Sequence, residues 1–103
     1  MARESRLKAR MVSALRARGR WTTRIAASAF QRAGLPDILT HMLVPPGRAS
    51  WVEAKLPGEK SRPLQVAVQK ELRESGAFVI EATSVEAMIE AIEEEERYWR
   101  WKK

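Results

Sequence analysis

The chain has 103 residues, with 19 Lys plus Arg against 13 Asp plus Glu, one His and no Cys. That length suits one compact domain spanning residues 1–103, and the composition excludes disulfide scaffolds, thiolate catalysis and Cys-bearing zinc sites; His41 alone makes a His-built metal centre or a Ser-His-Asp triad improbable. Charge is lopsided: residues 1–35 hold nine bases and one acid, a net +8, whereas residues 36–103 hold ten bases and twelve acids, a net −2.

A one-sided basic surface is the usual footprint of a phosphate-backbone binder, with an anionic membrane surface as the weaker alternative. No apolar run approaches the ~18 to 20 residues that span a bilayer, and the charged start Met1-Ala2-Arg3-Glu4 is unlike a secretory segment. The expected setting is therefore cytosol-like, with no membrane partner.

From Glu4 to about Arg18, Leu7, Met11, Ala14 and Leu15 recur at helical spacing, and Gly19 stands where a helix C-cap is expected. Trp21, Thr23 and Ile25 then alternate with Thr22 and Arg24, which predicts a short strand. Residues 28–36, closing on Gly34-Leu35-Pro36, read as a loop. Asp37–Val44 and Trp51–Leu56 are β-compatible runs joined through Pro45-Pro46-Gly47-Arg48, a hairpin with a long turn. Pro63 suits the first turn of a helix in which Leu64, Val68 and Leu72 step by four until Gly76.

Ala77-Phe78-Val79-Ile80 is a continuous apolar run, as in a strand covered on both faces. Thr83 or Ser84 caps a last helix with Val85, Met88, Ile89 and Ile92 as its apolar stripe and Glu93 to Glu96 on a solvated face; a basic, aromatic tail follows at 97–103. The order α-β-β-β-α-β-α predicts an α/β fold, a small mixed β-sheet flanked by helices.

The chemistry concentrates on the strand Trp51-Val52-Glu53-Ala54-Lys55. Glu53 and Lys55 share one face by the period of two, while Val52, Ala54 and Leu56 take the other. A Glu-x-Lys pair is usually only solvated charge. Asp37, at the start of the partner strand, changes the odds, because a short antiparallel pair brings its carboxylate near Glu53. Two carboxylates that close repel unless a proton or cation lies between them, and oxygen-only ligation suits Mg²⁺ or Mn²⁺. A lysine beside such a metal orients an attacking water or offsets charge building on a phosphoryl transition state.

The order Glu4, Gly34-Leu35-Pro36-Asp37, Glu53-Ala54-Lys55 and Pro63-Leu64-Gln65, with Leu72 and Gly76 following, resembles the VRR-NUC family of the PD-(D/E)xK nuclease superfamily, over about residues 3 to 92. The resemblance implies a restriction-endonuclease-like core. It implies that Asp37 and Glu53 hold a divalent metal, with the Ala54 carbonyl as an extra ligand and Glu4 completing the shell directly or through water. Glu4 also has a plain reading as an acid favoured near a helix N-terminus. Lys55 would contact the water or the scissile phosphate, and Gln65 would bond near Lys55 and keep the site aligned.

The implied activity is metal-dependent endonuclease cleavage of structured or branched DNA, including four-way (Holliday) junctions, by a symmetric homodimer. The implied setting is the cytoplasm of a bacterium or phage-infected cell, or a eukaryotic nucleus. A non-catalytic nucleic-acid-binding module with the same fold is the alternative.

Among the bases, Arg6, Arg10, Arg16, Arg18, Arg20, Arg24 and Arg32 compete for phosphate contacts. Arg32, beside Asp37, is the preferred clamp on the DNA backbone, with Arg24, Arg10, Arg6 and Ser28 as further DNA contacts. His41 shares Asp37's strand parity but reads as structural or exposed, and Gln69, one turn after Gln65, reads as a surface residue. Trp99 and Trp101 suit a subunit contact, packing, or stacking on unpaired bases.

Overall fold

The computed structural model describes residues 2–26 and 32–102. The elements are α1 (Arg3–Ala17), β1 (Thr23–Arg24), β2 (Ile38–His41), β3 (Ala49–Ala54), α2 (Pro63–Glu74), β4 (Phe78–Ala82) and α3 (Val85–Trp101), the order expected from the periodicities. They build a mixed α/β fold in which one four-stranded sheet, ordered β1-β2-β3-β4, is flanked by the three helices. β1, β2 and β3 pair antiparallel, whereas β4 runs parallel to β3, so α2 is the crossover between them.

Alternation along the strands divides the sheet into two chemically different faces. Ile38, Val52, Ala54 and Ala82 point into the core, where Leu7, Met11, Val12 and Leu15 of α1 meet Met88, Ile89 and Ile92 of α3. These α1 and α3 residues are the apolar stripes, spaced by three and four, that the helical period places on one side. The interleaved residues Glu53 and Glu81 take the other face, where α2 lies. They are direct neighbours in the parallel register.

α2 begins at Pro63, whose fixed φ and missing N–H suit a first helical turn. It is seated by Gly34, which has φ +88°. A Cβ there would lie 2.9 Å from the Leu64 side chain and 3.0 Å from that of Val68. Only glycine gives both that backbone conformation and that approach. The loop leading to Asp37 is thereby pressed against the first turns of α2.

Four expectations change. The strand predicted over Trp21–Ile25 shrinks to Thr23–Arg24, and its inward side is not Trp21, which is 66% exposed. Thr22 is buried instead, its hydroxyl 2.9 Å from that of Thr40, which also donates to the Trp21 carbonyl. The strand predicted over Asp37–Val44 stops at His41, because the chain turns there. Met42 N–H closes the hairpin on Arg48 O at 2.8 Å, and Leu43 N–H donates to the Glu96 carboxylate at 2.6 Å.

Glu93 to Glu96 are not all a solvated face. Glu96 is buried in a two-pronged ion pair with Arg20 at 2.7 and 2.8 Å. That pair also removes Arg20 from the phosphate-contact candidates. The 97–103 tail is the continuation of α3 as far as Trp101. Arg48, from the hairpin turn, lies over the Phe78 and Trp99 rings at 5.8 and 5.5 Å and pairs with Glu95 at 2.7 Å. Cation–π contact and the ion pair together fasten the helix end to the hairpin. Among the described residues, no helix is long and apolar enough to cross a membrane.

Candidate metal and phosphodiester site

The antiparallel register sets Ile38 opposite Val52, so Asp37 and Glu53 fall at the same level where β2 and β3 leave the core. The Asp37 backbone is held by Ile25 N–H, which donates to its carbonyl at 2.7 Å. Its side-chain Oδ2 accepts from Ala54 N–H at 2.9 Å, so the loop acid is tied to the strand that carries Glu53 and Lys55. The Ala54 backbone is thus adjacent to both carboxylates.

Glu53 is only 3% exposed. Burial and the Asp37 charge push its carboxyl up to about 7, against the opposing pull of the Lys55 ammonium 3.4 Å away. Near neutral pH the Glu53 carboxyl is therefore about half protonated, and a cation entering beside it favours its ionised form.

Gln65 ties the polar side chains together from the first turn of α2. Its Oε1 accepts from Lys55 Nζ at 3.2 Å and from Arg62 N–H at 2.8 Å, while its Nε2 donates to Glu53 Oε2 at 3.1 Å. The backbone donor at Arg62 fixes which end of the amide faces Lys55. One side chain thereby sets the relative position of the carboxylate and the ammonium.

A second layer departs from the expectation. Gln69, expected at the surface, is 4% exposed and donates to Glu81 Oε2 at 2.9 Å. It follows Gln65 by one helical turn on the face that meets the sheet, a position that helix spacing relative to Gln65 would have picked out. Glu81 also accepts from the Ser61 hydroxyl, and these two bonds hold its carboxyl below the usual range. The chain between β3 and α2 is thus fastened to β4 beside Lys55.

Lys8 is the other residue that sequence reading missed. Its Nζ is 3.1 Å from Asp37 Oδ1 and 3.4 Å from Glu4 Oε1. Burial favours its neutral form, yet Asp37 and Glu4 hold its pKa above the usual lysine value. Glu4 thus meets Asp37 through the Lys8 ammonium. Among the described residues, no three His, Asp or Glu side chains gather at metal-binding distance.

The donors that do assemble, the Asp37 and Glu53 carboxylates, are hard oxygen groups whose mutual repulsion a small divalent cation relieves. They fit Mg²⁺ or Mn²⁺ and lack any soft ligand.

The remaining candidates lie apart from this cluster. Arg32 is exposed and paired with Glu71 of α2 at 2.6 Å. Arg24 is exposed on the two-residue edge strand. Arg6 and Arg10 line, with Arg3, Leu56, Pro57 and Thr83, a groove of about 260 Å³ beside the end of β3. Arg16 donates to the Thr22 carbonyl at 3.0 Å. His41 lies at the far end of β2, its Nδ1 3.0 Å from the Met42 carbonyl. Ser28 falls outside the described residues.

No protein-family model and no curated protein matches the chain. Among solved structures, one described as "VRR_NUC domain" superposes with a TM-score of 0.74 at 26% identity, covering 90% of this chain and 97% of that one. Another, described as "VRR_NUC domain protein", gives a TM-score of 0.59 at 21% identity, over 71% of this chain and 64% of that one. The protein has the fold of VRR_NUC domain proteins over nearly all of its length, a fold that implies a nuclease of the PD-(D/E)xK family.

Proposed function

We propose that the protein is a Mg²⁺- or Mn²⁺-dependent endonuclease that hydrolyses phosphodiester bonds in structured or branched DNA, four-way junctions included, as a homodimer. The observation that carries this reading is the Asp37–Glu53 acid pair, with Glu53 buried and tied to Lys55 through one glutamine, Gln65, in a chain with a nuclease-family fold. Asp37, Glu53 and the Ala54 carbonyl would hold the metal. When bound, the ion would supply Lewis-acid stabilisation of charge on a scissile phosphate.

The chain's own residues do the rest. Asp37 and Glu53 would supply carboxylate oxygens to that ion, and its charge would favour the ionised form of Glu53. Lys55, held at 3.2 Å by Gln65, keeps its ammonium aimed at the phosphate or at the attacking water. It offsets negative charge as the water oxygen bonds to phosphorus and the P–O bond to the leaving strand breaks. Gln65 fixes that geometry, and Gln69 with Ser61 fastens the neighbouring segment through Glu81.

DNA as the partner draws support from the +8 N-terminal third and from the Arg3, Arg6 and Arg10 groove, which opens beside Leu56, the residue after Lys55. The dimer draws support from the other end of the molecule. Leu43, Val44, Pro45, Pro46, Trp99 and Lys102 line an apolar groove there, close to exposed Tyr98 and to Trp101, which is 88% exposed. Two equal sites about a two-fold axis suit a substrate that needs two symmetric cuts.

The test is cleavage of a panel of linear, nicked, flapped and four-way DNAs with Mg²⁺, Mn²⁺ or chelator. Asp37→Asn and Lys55→Ala are expected to abolish cutting while leaving binding largely intact. Cutting that survives chelation, or in both variants, overturns the assignment; metal-independent binding without cutting by the parent makes the protein a binding module.

A further inference from the structure

We infer that Lys8 is a built-in cation that competes with the divalent metal for Asp37, so that metal affinity is set by how readily its ammonium withdraws. The inference rests on the reading that Asp37 and Glu53 hold that metal. Asp37 has two oxygens, and Oδ2 is committed to Ala54 N–H inside the sheet at 2.9 Å. Oδ1 is the oxygen through which Asp37 reaches a cation, and Lys8 Nζ lies 3.1 Å from it. Lys8 is also shielded, with a side chain 20% exposed, so water screens this contact less than it screens a surface pair.

The neighbouring charges make the competition direct. Lys55 stands 3.4 Å from Glu53, so an entering cation meets an ammonium group from α1 and one from the residue that follows β3. Lys55 is anchored by Gln65. Lys8 has somewhere to go, because Glu4, one helical turn before it, accepts it at 3.4 Å. An i,i+4 acid of this kind keeps the ammonium paired after it leaves Asp37. Glu4 and Lys8 therefore work as a unit: the helix supplies a cation to the acid pair and a second acceptor to which that cation retires. This lysine guards Asp37 against weakly held ions and raises the metal concentration needed to fill the site.

The test is calorimetric titration of Mn²⁺ into metal-depleted full-length chain, with the paramagnetic resonance signal of free Mn²⁺ as a second readout. Lys8→Met is expected to bind roughly ten- to hundredfold more tightly than the parent, the size of one released charge-assisted hydrogen bond. Lys8→Arg, which keeps a cation against Asp37, should stay near the parent. Equal or weaker binding by Lys8→Met, with parent-like circular dichroism, overturns the inference; should Lys8→Met fail to fold, Lys8→Gln is read by the same criterion. Asp37→Asn tests the underlying site separately, since it should lose Mn²⁺ binding altogether. A parent that binds no Mn²⁺ overturns both.

Discussion

Replacing Glu53 with Gln isolates the cost of holding a buried carboxylate beside Asp37. In the folded chain Glu53 titrates at about 7, against 4.5 for an ordinary glutamate. A folded-state value raised above the unfolded one means that folding takes up a proton, so the contribution to stability is fully present below pH 4.5. It is lost as pH rises through about 7. At about 1.4 kcal/mol per unit, this shift corresponds to roughly 3 kcal/mol of stability lost between pH 4.5 and pH 8. Glu53 is 3% exposed, so solvent screening reduces this little.

A Gln at position 53 does not titrate, yet it has the shape of the protonated acid. Its carbonyl accepts from Gln65 Nε2, which donates to Glu53 at 3.1 Å in the parent, and its amide can donate toward Asp37. The stability difference between Glu53→Gln and parent should therefore be near zero at pH 4.5 and reach roughly 3 kcal/mol in favour of the variant at pH 8. Urea unfolding of both chains at a series of pH values measures that difference and cancels the titrating groups that do not touch position 53, provided the two m-values agree. Millimolar Mg²⁺ should then restore stability to the parent at pH 8 and do nothing for the variant. A difference curve that is flat with pH, or a variant less stable than the parent at pH 8, refutes the reasoning.

Gly34→Ala should lose about 2–4 kcal/mol, since φ +88° disfavours a side chain and the new Cβ meets Leu64 at 2.9 Å; thermal melts check this, and adding Leu64→Ala should recover part of the loss. Gln65→Ala removes a donor to the Glu53 anion and the acceptor of Lys55, so the pH midpoint of Mn²⁺ binding should move upward and cleavage should fall about ten- to hundredfold. Glu96→Ala leaves the Arg20 guanidinium buried without its partner and should cost about 3–5 kcal/mol, measured by urea unfolding.

Burial pushes the Glu96 carboxyl up, but the Arg20 bonds and charge and the Leu43 N–H bring it below its ordinary value. Its contribution is therefore present above the ordinary glutamate pKa and lost as pH falls through the lower, folded value, so the parent should show an acid-unfolding limb that Glu96→Ala has lost. Trp101→Ala, at a side chain 88% exposed in the single chain, should leave circular dichroism unchanged, shift sedimentation toward monomer and remove the concentration dependence of the melting temperature.

Local patterns account for what was legible. Apolar spacing, Pro63 and the glycines after helices α1 and α2 reflect forces acting within one turn or one strand. They located all seven elements and the Glu53 and Lys55 face. The likeness of Asp37 and Glu53 in level followed from a single antiparallel pairing between neighbouring strands. Gln65 owed its place in the expectation to the family resemblance, and the structure shows the three bonds it makes.

Which faces are covered was decided elsewhere. A period of two cannot tell whether Trp21 or Thr22 turns inward; the Thr40 hydroxyl across the sheet does. Helical spacing from Ile92 sets Glu96 on the inward stripe, apart from Glu93 and Glu94, but the partner that makes a buried acid tolerable there, Arg20, lies 76 residues away. Helix spacing from Gln65 turns Gln69 toward the sheet, but its partner Glu81 is set against it only by the β3–β4 crossover.

Lys8 is the plainest case. In the sequence it is one of nine bases in a +8 segment that reads as a grip on phosphates. Docking of α1 against the sheet turns it onto Asp37 instead. Residue order alone determined that this chain carries a basic third and an acid-bearing remainder, because net charge is additive along a sequence. Only the tertiary structure decided which of those charges face solvent and which neutralise one another, because Coulomb energy depends on distance and burial, and both are properties of the packed chain.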